Sequence, residues 1–128
     1  MNPFQQQGAF SWCELMTSDV GAAKEFYQQV FYWTWKDEPM EGGKTYTTIK
    51  AGEQPVGGIF STDDALSEKT PSPHWGVYVT VDNVDRTVEQ AQAMGGKVFV
   101  PPTDIPNTGR FAVIGDPQGA VLSIIAYN

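Results

Sequence analysis

The chain carries one pattern twice, beginning once at Phe10 and again at Trp75. The first copy reads Phe10-Ser11-Trp12-Cys13-Glu14-Leu15-Met16-Thr17, then Ser18-Asp19, then an amphipathic run ending at Val30-Phe31. The second reads Trp75-Gly76-Val77-Tyr78-Val79-Thr80-Val81, then Asp82-Asn83, then an amphipathic run ending at Met94-Gly95-Gly96. Each copy spells a strand, a polar cap, a helix and three further extended segments. A strand–helix–strand–strand–strand unit repeated in 128 residues points to a duplicated fold around a shared cavity. The repeat constrains architecture far more tightly than chemistry.

Within the first copy, alternation over residues 10–17 puts Trp12, Glu14 and Met16 on one face and Cys13 and Leu15 on the other. Ser18 or Asp19 is placed to cap the following helix by accepting from its free amides. Val20, Ala23, Phe26, Tyr27 and Val30 then form one apolar helical stripe. Extended segments follow near 33–38, 44–50 and 56–61, separated by Gly42-Gly43 and by the turn from Gly52 to Pro55. The glycine pairs at 42–43, 57–58 and 95–96 read as turns and bulges. Residues 62–73, acidic, hydroxyl-rich and ending in Pro71 and Pro73, form a polar connector. The second copy gives a strand at 75–81 and a helix near 84–94 with Val84, Val88 and Ala91 on its stripe. A strand near 97–100 is expected to break at Pro101-Pro102, because proline supplies no ladder donor. Strands near 110–115 and 120–126 flank the tight turn Asp116-Pro117-Gln118-Gly119. The expected fold class is α+β: two tandem βαβββ units forming an eight-stranded, cavity-bearing sheet with the helices outside. A loose N-terminal arm covers 1–8 and one domain covers 9–128, with unit one about 9–61, a connector at 62–73 and unit two about 74–128.

Charge excludes one large class of partner. The net charge is −7 and Arg86 and Arg110 are the only arginines, whereas nucleic-acid phosphates demand clustered Lys and Arg. No apolar run approaches the roughly 20 residues that span a bilayer, and the N-terminal residues lack the basic and apolar regions of a signal peptide. A single cysteine, Cys13, excludes an intrachain disulfide and fits a reducing compartment, so a soluble, cytoplasmic protein is expected.

Several spaced elements together resemble the vicinal oxygen chelate superfamily, which includes glyoxalase I, bleomycin-resistance proteins and extradiol dioxygenases. They are Asp19 with Ala22-Ala23-Lys24-Glu25-Phe26-Tyr27 and Val30-Phe31; Val81-Asp82-Asn83-Val84-Asp85 leading to Gly95-Gly96-Lys97-Val98; and Gly109-Arg110-Phe111-Ala112-Val113 with Asp116-Pro117-Gln118-Gly119-Ala120. The resemblance covers about 10–126 and implies one glyoxalase/bleomycin-resistance/dioxygenase-like domain. Fold alone leaves the chemistry open, because such superfamilies host many activities. One departure is Tyr32, where the pattern ends its first helix with glycine: either the exit differs or the helix stops a residue earlier. The larger departure concerns metal. Relatives that use a metal place His, Gln or Glu at inward positions on the first and last strands of each unit. Here those positions fall at about Trp12 and Gly76, and near Gly58 and Ser123, a set poor in ligands. With His74 the only histidine, no metal site and no cofactor are expected.

Glu14 is the candidate acid or base, a carboxylate among apolar neighbours where desolvation disfavours its charged form; the alternative is a structural hydrogen-bonding role. Trp12, Glu14, Met16, Gly76, Tyr78, Thr80 and Ser123 are the expected ligand-pocket residues, with Trp12 and Tyr78 as its aromatic pair. Trp75, Tyr46, Phe60 and Phe111 are core aromatics by default. His74 reads as a loop-to-strand residue, Cys13 as a small core residue facing the helix, and Arg110 as solvated. Two functions follow: a small-molecule binder lacking the usual metal, as in the bleomycin-resistance branch, or a glyoxalase-like lyase or isomerase, or a dioxygenase-related enzyme, using Glu14 as acid/base or metal ligand. The resemblance also implies a homodimer.

Overall fold

The computed structural model describes residues 1–62 and 72–128. In chain order the elements are β1 (Phe10–Thr17), α1 (Val20–Phe31), β2 (Thr34–Pro39), β3 (Thr45–Ala51), β4 (Gln54–Ser61), β5 (His74–Thr80), α2 (Val84–Ala93), β6 (Lys97–Ile105), β7 (Gly109–Gly115) and β8 (Val121–Tyr127). Among the described residues two α-helices and eight strands, as two βαβββ copies, make the α+β class that the repeat predicts. The connector expected at 62–73 falls mostly outside the described residues. Two compact units result: Trp12–Trp75, and Met1–Ser11 together with Gly76–Asn128.

In the Trp12–Trp75 unit the strand order is β2-β3-β4-β1, with β1 parallel to β4 and the other pairs antiparallel. Leu15, Ile49 and Ile59 form its core, covered by Val20, Ala23 and Tyr27 of α1 and flanked by Trp33 and Trp35. Each such fully buried side chain contributes about 1.5–3 kcal/mol relative to exposure. Asp19 caps α1: its Oδ1 accepts from the Ala22 N–H at 3.0 Å. At the other end Tyr32 itself takes the left-handed conformation (φ 62°, ψ 26°), and its N–H donates to the Gln28 carbonyl. The helix therefore makes the ordinary left-handed exit with a non-glycine residue. Only part of the predicted apolar stripe reaches the core, since Phe26 and Val30 remain 59% and 47% exposed. Cys13 is also exposed, contrary to expectation. Cys13 has the parity of Leu15, but the cover that buries Leu15 does not extend to it.

In the other unit the order is β5-β8-β7-β6, with β5 parallel to β8. Val81, Val84, Val88, Ala112 and Ile124 form its core. Asn83 caps α2, accepting from the Arg86 N–H at 3.0 Å. β6 runs through Pro101-Pro102 instead of breaking there, because it is the outermost strand of this order and its register shifts twice, between Val98 and Val100 and between Val100 and Thr103. An edge strand with bulges tolerates the missing donors. The N-terminal arm is tied to this unit rather than loose. Thr80 exchanges backbone bonds with Gly8 and Ala9 at 2.8 Å each. The Thr80 hydroxyl donates to the Pro3 carbonyl at 2.7 Å, and Gln7 accepts from the Asp82 N–H. Phe4 meets Tyr127 edge-on at 5.0 Å.

Candidate functional site

The site is built from strand alternation in the Trp12–Trp75 unit. Leu15 is committed to the core beneath α1, so Trp12, Glu14 and Met16 lie on the opposite face. Register then chooses their neighbours. Glu14 stands beside Gly58 and Met16 beside Phe60 on β4, and Gly58 stands beside Thr48 on β3. Tyr46, two residues before Thr48, shares that face.

There the side chains form a hydrogen-bonded chain. Trp12 Nε1 donates to the Tyr46 hydroxyl at 2.9 Å, and that hydroxyl donates to Glu14 Oε2 at 2.8 Å. Indole N–H only donates, which fixes the first direction, and in the second the phenol donates to the carboxyl group. Tyr46 also packs against Phe60, with centroids 6.2 Å apart and planes tilted by 50°. Trp12, Glu14, Met16, Tyr46 and Phe60 are all half-buried. Gly58 is buried, and a Cβ built on it would overlap the Tyr46 hydroxyl and Cζ and lie 2.9 Å from Cε2. Glycine is what leaves room for the tyrosine.

The sequence placed Trp12, Glu14 and Met16 on one face, where they are found, but it read Tyr46 as core packing and Gly57-Gly58 as a turn or bulge, and a register shift does adjoin Gly57. Both glycines lie within β4. A glycine inside a strand pattern marks a close approach of another group, which was the available signal. On the ladder Glu14 stands beside Gly58 and Tyr78 beside Ser123, two residues along from Trp12 and Gly76. Among the described residues no three His, Cys, Asp or Glu side chains come together. The donors at the matched positions are one carboxylate already accepting from Tyr46, a glycine, a phenol and a hydroxyl. This set does not fit a transition-metal centre, which takes three or four His, Cys or carboxylate ligands.

Most of the other candidates belong to the Gly76–Asn128 segment. Tyr78 and Ser123 are ladder neighbours in the other unit, Gly76 is half-buried there, and Thr80 is buried while bonded to the arm. His74 is exposed and its Nδ1 donates to the Ser72 carbonyl at 2.7 Å. Trp75 and Phe60 are not core residues, whereas Phe111 is buried. Arg110 is not merely solvated: it holds Asp85 through two nitrogens, at 2.9 and 3.1 Å, and Asp104 through a third at 2.9 Å. Those hydrogen bonds, to Asp85 first and Asp104 second, raise the guanidinium pKa further, and Arg110 in turn lowers that of Asp85. A cleft of about 420 Å³ lies elsewhere in the Trp12–Trp75 unit, lined by Val20, Lys24, Lys44, Thr45, Thr47, Ser61 and the Gly42-Gly43 turn. It does not include Glu14. Its Lys24 is already spent on Asp37 at 2.8 Å, and hydrogen bonds from Lys24 and then Thr47 hold the Asp37 carboxyl below its ordinary pKa. The candidate site is therefore the Trp12–Tyr46–Glu14 face, where aromatic surface and a defined polar point coincide.

Known proteins share this organisation. Over 124 residues the chain is 39% identical to a Mycobacterium tuberculosis protein named "Putative glyoxylase CFP32", covering 94% of this chain and 44% of that protein. It is 35% identical over 118 residues to the anthracycline biosynthesis protein DnrV of Streptomyces peucetius, covering 92% and 41%. The chain thus spans less than half the length of the curated relatives it matches. The solved methylmalonyl-CoA epimerase of Mycobacterium tuberculosis has the same fold, with a TM-score of 0.63 at 11% identity over 94% of this chain and 89% of that one. No helix among the described residues is long and apolar enough to cross a membrane. Residues 9–124 match the family model, and the chain belongs to the Glyoxalase/Bleomycin resistance protein/Dioxygenase superfamily.

Proposed function

We propose that this chain binds a small apolar or aromatic molecule against the Trp12–Tyr46–Glu14 face, without a divalent metal. The observation that carries the reading is the hydrogen-bonded chain itself. A half-buried wall of indole, phenol, phenyl and thioether offers stacking surface, and Glu14 supplies one oriented polar point within it. A mostly apolar surface with few fixed polar groups is the usual makeup of a small-molecule site. Similarity to a protein named for anthracycline biosynthesis supports a planar aromatic ligand. In the other unit, Tyr78 and Ser123 occupy the matching ladder positions and, with Gly76 on the same strand as Tyr78, are proposed as a ligand-binding face of that unit. The metal-free reading draws on the donor set, and elemental analysis of purified protein checks it: one tightly held transition metal per chain would overturn it. For binding, a fluorescence titration with a panel of fused-ring aromatics should give saturable affinity that Trp12→Ala weakens severalfold. Unchanged affinity in that variant would place the site elsewhere.

A second reading, a lyase or isomerase with Glu14 as general base, is favoured by the 2.8 Å bond from Tyr46, which holds the carboxylate in one orientation. The name glyoxylase carried by a relative agrees with it. Glu14→Gln should then abolish turnover while leaving ligand affinity measurable. We further propose a homodimer in a reducing, cytoplasmic setting. The exposed Phe26 and Phe31 support pairing, and the free Cys13 supports the compartment. Light scattering giving a monomer mass at high micromolar concentration would count against the dimer.

A further inference from the structure

We infer that residues 1–8 form a strap across one end of the Tyr78–Ser123 face, and that the strap sorts ligands by length. A one-ring molecule binds beside it, and a longer fused-ring molecule must lift it. This rests on the reading of that face as a ligand-binding one. Strand alternation defines the face. Ile124 lies in the core with Val84 and Val88 of α2, so Ser123 and Ile125 point the other way. Register then sets two rows across β5, β8 and β7: Thr80, Ile125 and Phe111 in one, and Tyr78, Ser123 and Val113 in the next. Such rows lie about 6.6 Å apart along the strands. The first row is buried, at 3%, 4% and 9% exposure, although it faces away from α2, whereas the second is half-buried. The strap meets the first row on either side of Ile125. The Pro3 carbonyl accepts from the Thr80 hydroxyl at 2.7 Å, and Phe4 meets the ring of Tyr127, two residues beyond Ile125 on the same face.

The strap can lift without unfolding its unit. None of residues 1–8 is buried, and none belongs to the core around Val84 and Ile124. Its side-chain holds are neutral hydrogen bonds, the one to Thr80 and the one that Gln7 accepts from the Asp82 N–H at 2.7 Å. Segments tied down by so few buried contacts open locally before the rest of a domain. Gly8 holds φ 87°, which lets the chain turn out of the line of β1 at that point. A ligand that needs the opened row has its affinity reduced by the fraction of chains with the strap lifted. By linkage, the same ligand loosens the strap.

The test follows the Ser123 and Ile125 amide signals during titration with phenol and with 1-hydroxypyrene, in the full chain and in a chain lacking residues 2–7. Removing the strap should tighten 1-hydroxypyrene about tenfold and leave phenol within about twofold, the larger factor being the order of two neutral hydrogen bonds less the entropy of ordering the arm. In the full chain, saturating 1-hydroxypyrene should speed hydrogen exchange at the Asp82 amide, whose acceptor on Gln7 departs, and phenol should not. Phe4→Ala combined with Gln7→Ala weakens the strap but keeps its backbone, and should tighten 1-hydroxypyrene about threefold; it makes the same test should the shorter chain not fold. Unchanged 1-hydroxypyrene affinity without the strap, or an equal gain for phenol, overturns the strap and leaves the binding face standing. Signals that move with neither probe, or binding indifferent to Tyr78→Ala, overturn the face and the strap together.

Discussion

Gly58→Ala should destabilise the chain out of proportion to one added methyl group. Gly58 is pinned from both sides, by Glu14 on β1 and Thr48 on β3, so its backbone has little freedom to retreat. The new Cβ overlaps the Tyr46 hydroxyl and Cζ, and the ring must leave. Leaving breaks the bonds at 2.9 Å from Trp12 and at 2.8 Å to Glu14. The first is worth about 1 kcal/mol and the second, to a charged group, about 1.5–3 kcal/mol. Alanine in place of a strand glycine returns about 0.5–1 kcal/mol. The net expectation is a loss of about 1.5–3.5 kcal/mol. Urea unfolding followed by tryptophan fluorescence measures it, with a slope of roughly 1–3 kcal/mol/M for a chain of this size. A double-mutant cycle isolates the cause: in a Tyr46→Ala background the same alanine should cost nothing or stabilise slightly. A Gly58→Ala chain within about 0.5 kcal/mol of wild type, or an equal cost in both backgrounds, would refute the assignment of Gly58 as the tyrosine's berth.

Three further outcomes are expected. Tyr32→Gly should raise stability by about 0.5–1 kcal/mol, because Tyr32 holds φ 62° while 82% exposed and glycine accepts that conformation without a Cβ penalty; a melting temperature that fails to rise contradicts this. Asp37 has a folded pKa below its unfolded value, owing first to the bond from Lys24. The stability it contributes is present above the unfolded carboxylate pKa and is lost as pH falls through the folded one, so Asp37→Asn should flatten the acid limb below about pH 4. Identical urea midpoints against pH in both chains would contradict that assignment, and the partial exposure of both partners keeps the effect modest. Cys13 should react with a maleimide in the folded state, and Cys13→Ser should cost less than about 0.5 kcal/mol, as for other surface replacements. A thiol protected until unfolding would place it under cover.

Periodicity is a local property, and the local features were legible. α1 and α2 each start at one of the two cap residues their sequences offer, Asp19 of Ser18-Asp19 and Asn83 of Asp82-Asn83, and the period-2 alternation of β1 placed Trp12, Glu14 and Met16 opposite Leu15. Pairing between strands is not local. Nothing in residues 44–50 announces that Tyr46 reaches Glu14; that follows only when Thr48 falls beside Gly58 and Gly58 beside Glu14. Pro101-Pro102 misled for a related reason, because a proline stops a central strand but is tolerated on a bulged outer one. The apolar stripe of α1 was correctly periodic, yet periodicity does not say how much of a helix its sheet covers, and Phe26 and Val30 remain outside.

The most direct measurement of the central claim is a nitrogen–proton correlation spectrum of the tryptophan side chains during titration with 2-naphthol. The chain has four tryptophans, and Trp12→Phe identifies the resonance that reports the bond to Tyr46. A ligand seated on the Trp12–Tyr46–Glu14 face should shift the Trp12 indole signal progressively, saturating with the same Kd that calorimetry gives. In Tyr46→Phe that signal should start from a different position and move less. Saturable binding that leaves the Trp12 indole unmoved, while Trp33, Trp35 or Trp75 responds, would contradict the account.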